Sequence, residues 1–157
     1  KLRYGFKTII VCLFYKDVQR NENTEYEKNN FLVVTAGNRF DDNFLSRLKS
    51  IIKLSDMTMS NNVGSHIGYC LALGKAPYIY KQEIEMKSTE QLKSLEEWKN
   101  RFSKEEWETL DKERSKIYNA FKEYSESISM EQLKLGQYYF RVNTKKTIDE
   151  MKQIIGG

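Results

Sequence analysis

The stretch Met57-Thr58-Met59-Ser60-Asn61-Asn62-Val63-Gly64-Ser65-His66-Ile67-Gly68-Tyr69, closing on Leu73-Gly74-Lys75-Ala76-Pro77-Tyr78-Ile79-Tyr80, decides how this chain is read. A short apolar run comes first, Met57 to Met59. A polar turn with one glycine follows. Ile67 to Leu73 reads as a helix, with Gly74 in a C-cap position. Pro77 to Tyr80 is a second apolar run, and its proline stands first, where a missing N–H does least harm to a strand. The order is strand, turn, helix, strand. The first turn of such a helix offers unpaired backbone N–H groups and the positive end of the helix dipole, which suits a phosphate or another anion. His66, the only histidine of the chain, lies in that turn.

Toward the N-terminus, Thr8-Ile9-Ile10-Val11-Cys12-Leu13-Phe14-Tyr15 is a continuous apolar run of the kind found in strands covered on both faces. Lys16 to Asn30 is polar and reads as a loop. Phe31 to Thr35 is a second strand, ended by the turn Ala36-Gly37-Asn38-Arg39. Asp41 and Asp42 suit a helix N-terminus, and Phe44, Leu45, Leu48, Ile51 and Ile52 line one face of that helix. This alternation predicts an α/β fold: a Rossmann-like parallel sheet of about four or five strands flanked by helices. Its sheet core covers about 7–82, within one domain spanning 1–157.

The remainder, about 88–157, is helix-rich and charged. Four capping boxes punctuate it, Ser88 with Gln91, Ser103 with Glu106, Ser129 with Gln132 and Thr147 with Glu150. They predict helices near 89–101, 104–126, 130–135 and 147–155. The longest carries Trp107, Leu110, Ile117, Phe121 and Tyr124, a stripe that continues to Ile128 and reads either as core packing or as a dimerising face. Gln137-Tyr138-Tyr139-Phe140-Arg141-Val142 reads as a short strand or extended segment.

Composition narrows the function classes. The 157 residues suffice for one domain with a sizeable core, and an aromatic share of 13% supplies bulk for it. The net charge of +4 is spread over interleaved Lys and Glu, with no dense basic stripe, which argues against a nucleic-acid partner. Weak association with an anionic membrane surface fits that charge. Cys12 and Cys70 lie in apolar segments without metal-like spacing, so both read as buried reduced thiols of a cytoplasmic protein. No segment approaches the ~20 apolar residues of a membrane span. No P-loop, strand-linked GxGxxG or GxSxG elbow is present. One histidine and two cysteines do not make a zinc site, and Asp41-Asp42 reads as a helix cap. Neither metal nor cofactor is expected.

In a parallel sheet, ligands bind beyond the carboxyl ends of the strands. The expected edge gathers Lys16, then Gly37, Asn38 and Arg39, then Ser60, Asn61, Asn62, Gly64, Ser65 and His66. Lys16 and Arg39 would neutralise a diphosphate. Gly64 would let the backbone approach closely, and Ser65 would donate a hydroxyl. His66 is either a structural hydrogen-bonder or a weak catalytic candidate. Ser60-Asn61-Asn62 is also compatible with simple turn chemistry.

The region from Phe31 to Tyr80 resembles the C-terminal, nucleotide-sugar-binding half of GT-B-fold glycosyltransferases. The resemblance rests on Val33-Val34-Thr35-Ala36-Gly37, on Leu48, Ile51, Ile52, Ser55 and Asp56, on Ser60 to His66, and on Leu73-Gly74-Lys75-Ala76-Pro77. Gly64-x-His66 is similar to the Gly-Gly-His turn of sugar transferases of the bacterial envelope. The string also resembles uncharacterised proteins of bacterial capsule and O-antigen clusters. The resemblance implies that the Gly64-Ser65-His66 turn holds the donor's phosphates and that Gly37-Asn38-Arg39 contacts the nucleotide. It further implies a role in surface polysaccharide synthesis, cytoplasmic and peripheral at the inner membrane, without a metal. The chain would then be the C-terminal half of a longer enzyme, inactive alone, with the saccharide acceptor on an N-terminal domain. One departure stands out: the family's ribose-gripping glutamate corresponds to Gly68 and Tyr69, which carry no carboxylate. Two other classes compete. One is a non-catalytic interaction module, with a homodimer through helix 104–126. The other is a hydrolase or phosphate-transferring enzyme on a flavodoxin-like sheet, using Asp17 and Asp56.

Overall fold

The computed structural model describes residues 5–82, 93, 96–97, 99–142 and 146–155. The chain divides into two compact units, residues 1–56 and 57–157.

In the first unit, β1 (Ile10–Cys12) leads to the short helices α1 (Tyr15–Gln19) and α2 (Asn23–Lys28), then to β2 (Leu32–Val34) and α3 (Phe44–Leu54). β1 and β2 pair in parallel, with Ile10 opposite Leu32 and Cys12 opposite Val34. The segment expected as a loop, Lys16 to Asn30, is therefore largely helical. Its asparagines explain the breaks: Asn21 and Asn30 have φ of 61° and 59°, a left-handed conformation that Asn tolerates better than most residues. α2 packs on β2. In α3 the expected apolar face is only partly covered: Ile52 is buried, whereas Leu45 is 58% exposed.

The second unit runs β3 (Thr58–Ser60), α4 (Ser65–Ala72), β4 (Pro77–Ile79), α5 (Lys104–Phe121), α6 (Met130–Phe140) and α7 (Ile148–Ile155). β3 and β4 pair in parallel, with Thr58 opposite Pro77 and Ser60 opposite Ile79. The core gathers Ile67 and Leu71 of α4, Ile79 of β4, Ile117 and Phe121 of α5, and Val142. Ile67, Ile79 and Phe121 are almost fully sealed, each worth about 1.5–3 kcal/mol of burial. The stripe of α5 is therefore core at its C-terminal end. Trp107 and Leu110 are half-buried, Ile128 packs against the core, and Tyr124 is exposed.

α6 crosses α4 at two glycines. A Cβ on Gly68 would stand 2.6 Å from the Phe140 Cβ, and one on Gly136 would stand 2.5 Å from a Leu71 methyl. This crossing explains why residues 137–140 are helical rather than extended. Tyr138-Tyr139-Phe140 favours strand locally, but packing on α4 overrides that preference. Gln132, itself buried, donates its amide to the Ala120 carbonyl at 2.7 Å and ties α6 to the end of α5.

The expected sheet is corrected. The described strands form two separate two-stranded sheets, β1-β2 and β3-β4, not one Rossmann-like parallel sheet of four or five strands. The physical reason shows in burial. A doubly wound sheet needs central strands covered on both faces, yet no residue of β1 or β2 is fully buried and Leu32 is 53% exposed. The helix-rich, charged C-terminal part is present, with α5 ending at Phe121 rather than near 126 and α6 extending to Phe140. The box expected at Ser88 and Gln91 lies outside the described residues.

Candidate functional site

β3 ends at Ser60, and the chain turns through Asn61 to Gly64 before α4 begins at Ser65. The turn is braced from within. The Ser60 hydroxyl donates to the Asn62 carbonyl at 3.0 Å, and the Asn62 side-chain oxygen accepts from the Val63 amide at 2.8 Å. The His66 ring lies beside Gly64, where a Cβ would meet its Nδ1 at 3.0 Å. Gly64 is extended, φ −162° and ψ 178°.

The start of α4 is electrostatically bare. No side chain caps it and its first turn holds no acid. α5 and α6 each begin with a closed capping box, with Glu105 and Glu106 in the first turn of α5 and Glu131 in that of α6. The α7 start is bridged by Thr147 and Glu150 in the same way. At α4 the Gly64 carbonyl accepts from the Ile67 amide at 3.1 Å, while Ser65, Asn61 and Asn62 are exposed. Polar, uncharged and donor-rich, this end of the helix matches what an anion requires.

His66 is half-buried. Burial pulls its proton affinity below the ordinary value of 6.5, against a smaller opposing pull from the Asn62 backbone.

Position 68 faces Phe140 and is buried under α6, so no acidic side chain fits there. Tyr69, the next residue, is 40% exposed.

Gly37, Asn38 and Arg39 share one loop of the first unit, and Lys16 lies in α1 of that unit, exposed. The site residues gathered at one place are thus Ser60, Asn61, Asn62, Gly64, Ser65 and His66. The first-unit loop is organised by a residue that sequence reasoning missed, Arg47. Its Nε donates to the Ala36 carbonyl at 2.8 Å and its guanidinium pairs with Asp41 at 2.7 Å. Gly37 has φ of 87°, and a Cβ there would meet the Arg47 guanidinium at 2.8 Å. A signal existed: a cation near a helix N-terminus opposes the dipole, so it calls for a local acid. Arg39 lies over the Phe40 ring, 4.8 Å from its centroid. Arg47 and the Asn43 amide hold the Asp41 carboxyl below its ordinary range. A groove beside this loop is lined by Asn38, Phe40, Asp41, Asp42 and Asn43, and its acids disfavour an anion.

Asp17 stands in the first turn of α1 and Asp56 just before β3. Both cysteines are free. Cys70 is buried, and burial pushes its thiol up. Cys12, expected to be buried, is exposed at the end of β1. Among the described residues no three His, Cys, Asp or Glu side chains gather as metal ligands would, and no helix is long and apolar enough to cross a membrane.

No protein-family model matches the chain, nor does any curated protein or solved structure.

Proposed function

We propose that the Ser60–His66 turn and the first turn of α4 hold the phosphate of a nucleotide sugar. The chain would then serve as the donor-binding part of a glycosyltransferase-like protein of bacterial surface polysaccharide biosynthesis. One observation carries this reading: among the described helices of the second unit, α4 alone starts with neither a side-chain cap nor an acid in its first turn. It does so beyond the carboxyl end of a parallel strand, where ligands collect in β-α-β units. The local order that carries the family resemblance is kept, because β3, the Ser/Asn/Gly turn, α4 and β4 follow one another with β3 and β4 parallel.

In this reading the backbone amides at the start of α4 and the exposed Ser65 hydroxyl donate to the phosphate. The dipole adds about 0.3–1 kcal/mol at an exposed helix start. Charge-assisted bonds to phosphate oxygens add more. The same donors would stabilise the diphosphate as it leaves the sugar, and the acceptor saccharide would come from a partner domain. Thermal-shift titration with CMP, UDP, GDP and CDP, free and sugar-linked, tests this directly. At a ligand concentration of 100 times Kd the folded state gains about 2.7 kcal/mol, a shift that is readily measured. Failure of every nucleotide and of inorganic phosphate to raise Tm sinks the reading.

A second reading is a non-catalytic interaction module that dimerises. It draws on α7, where Ile148, Met151 and Ile154 recur every third residue and are 75%, 48% and 63% exposed. Light-scattering mass of the chain against an Ile148→Asp, Met151→Asp variant decides it; a dimer that becomes a monomer favours this module.

A further inference from the structure

The two units differ in what they bury. In the second, Ile67, Leu71, Ile79, Ile117, Phe121 and Val142 form one buried cluster. In the first, Ala36 and Ile52 are the only buried apolar residues among those described. α1 and α2 bury none, and no residue of β1 or β2 is buried. Phe14, Leu32, Phe40, Leu45 and Leu54 are exposed. A pair of three-residue strands is marginal without a covered apolar face. The bonds that organise the first unit are largely polar. Arg47 ties the Ala36 carbonyl to Asp41, yet the two side chains of the ion pair are 40% and 41% exposed, and a pair so open to water adds little. Ordering each residue costs conformational entropy that apolar burial must offset. The first unit has little with which to offset it.

We infer that the first unit is an order–disorder element, which unfolds as a body while the second unit keeps its core, at an opening free energy well below that of the whole chain. The boundary between the units falls after Asp56, where α3 has ended and β3 has not begun. β1 pairs with β2 and β3 with β4, so neither ladder needs the other to form. Opening bares the apolar runs around β1 and β2. A molecule that binds only the folded form of this unit closes it by mass action. The inference is independent of the anion-binding reading, because the Ser60–His66 turn belongs to the second unit.

The intact 157-residue chain carries its own probe for this. Both tryptophans, Trp98 and Trp107, belong to the second unit. Tryptophan fluorescence therefore follows that unit, whereas far-UV circular dichroism follows the helices of both. In urea the chain should lose part of its dichroism before its fluorescence changes. Coincident transitions overturn the inference. Native-state hydrogen exchange reads the same contrast residue by residue. The helical amides of α3 should exchange at least about tenfold faster than those of α4 and α5, and equal protection overturns the inference. Two core substitutions complete the test. Ile52→Ala should lower the early dichroism step and leave the fluorescence midpoint in place, whereas Ile79→Ala should lower the fluorescence midpoint. If both move one shared transition, the two units unfold together and the inference fails. Should either variant not fold, exchange in the parent chain decides.

Discussion

The start of α4 and the starts of α5 and α6 solve the same problem in opposite ways. At α5 the Ser103 hydroxyl accepts from the Glu106 amide at 3.2 Å and the Glu106 carboxylate accepts from the Ser103 amide at 2.8 Å. At α6, Ser129 and Gln132 repeat the exchange at 3.1 and 2.9 Å. Each helix satisfies its first amides from its own four residues. α4 begins instead with Gly64, which has no side chain to offer, and the nearby Ser60 hydroxyl is turned to the Asn62 carbonyl. Within the second unit the contrast sets this one turn apart, since the other described helices there close their starts with capping boxes; α3 of the first unit likewise begins with no capping side chain and no acid in its first turn. An end left open toward exposed polar residues is the place where an outside acceptor gains most.

The comparison is broken most severely by attacking the flank of α4. Gly68→Val places atoms where Phe140 already stands and forces α6 outward. It should cost about 1–3 kcal/mol or more by overpacking, seen as a lower urea midpoint at unchanged slope. Gly64→Asp is the next largest, giving α4 the cap it lacks. The carboxylate would occupy the amides and repel an anion, so any nucleotide-induced rise in Tm should disappear. Retained nucleotide binding in this variant would remove the α4 start from the site. Third, Ser129→Ala removes a working cap and should cost about 1 kcal/mol. Ser65→Ala, at the first residue of α4, should leave stability nearly unchanged while weakening phosphate binding.

Two pH effects sharpen the contrast further. His66 has its proton affinity lowered by burial in the folded state. The unfolded chain therefore binds the proton more readily, and stability present above 6.5 is lost as pH falls from there through the folded value. His66→Asn should remove that dependence. Glu106 is lowered from 4.5 by its bonds to Ser103, so its contribution is present above 4.5 and is lost as pH falls through the lowered value. Tm against pH for Glu106→Gln should converge with the parent only in acid. The α6 box, built on Gln132, has no such titration.

Much of the local architecture was legible in the residues. The boxes at Ser103, Ser129 and Thr147 form with the partners read from spacing alone. The strand–turn–helix–strand order from Thr58 to Ile79 is also present. Two segments were misread. Lys16 to Asn30 lacks an apolar period, and its two short helices have no buried residue to betray them. Gln137 to Val142 is rich in residues that favour strands, and only Gly68 and Gly136, distant in sequence, show why it stays helical. In the candidate site, the polar turn was legible as a group. The division of labour inside it, Ser60 and Asn62 bracing the turn and Ser65 facing solvent, was not, because it depends on side-chain direction.

The sequence by itself determined where α5, α6 and α7 begin and which turn carries the polar residues, since a capping box is a contact between residues three apart and its geometry comes with the backbone. Only the tertiary structure decided that the four described strands pair two by two, that α6 packs on the flank of α4 at Gly68, and that Arg47 organises the Gly37 loop. Those outcomes rest on contacts between residues far apart along the chain or on side-chain direction, and neither local propensity nor spacing specifies which of the competing partners wins.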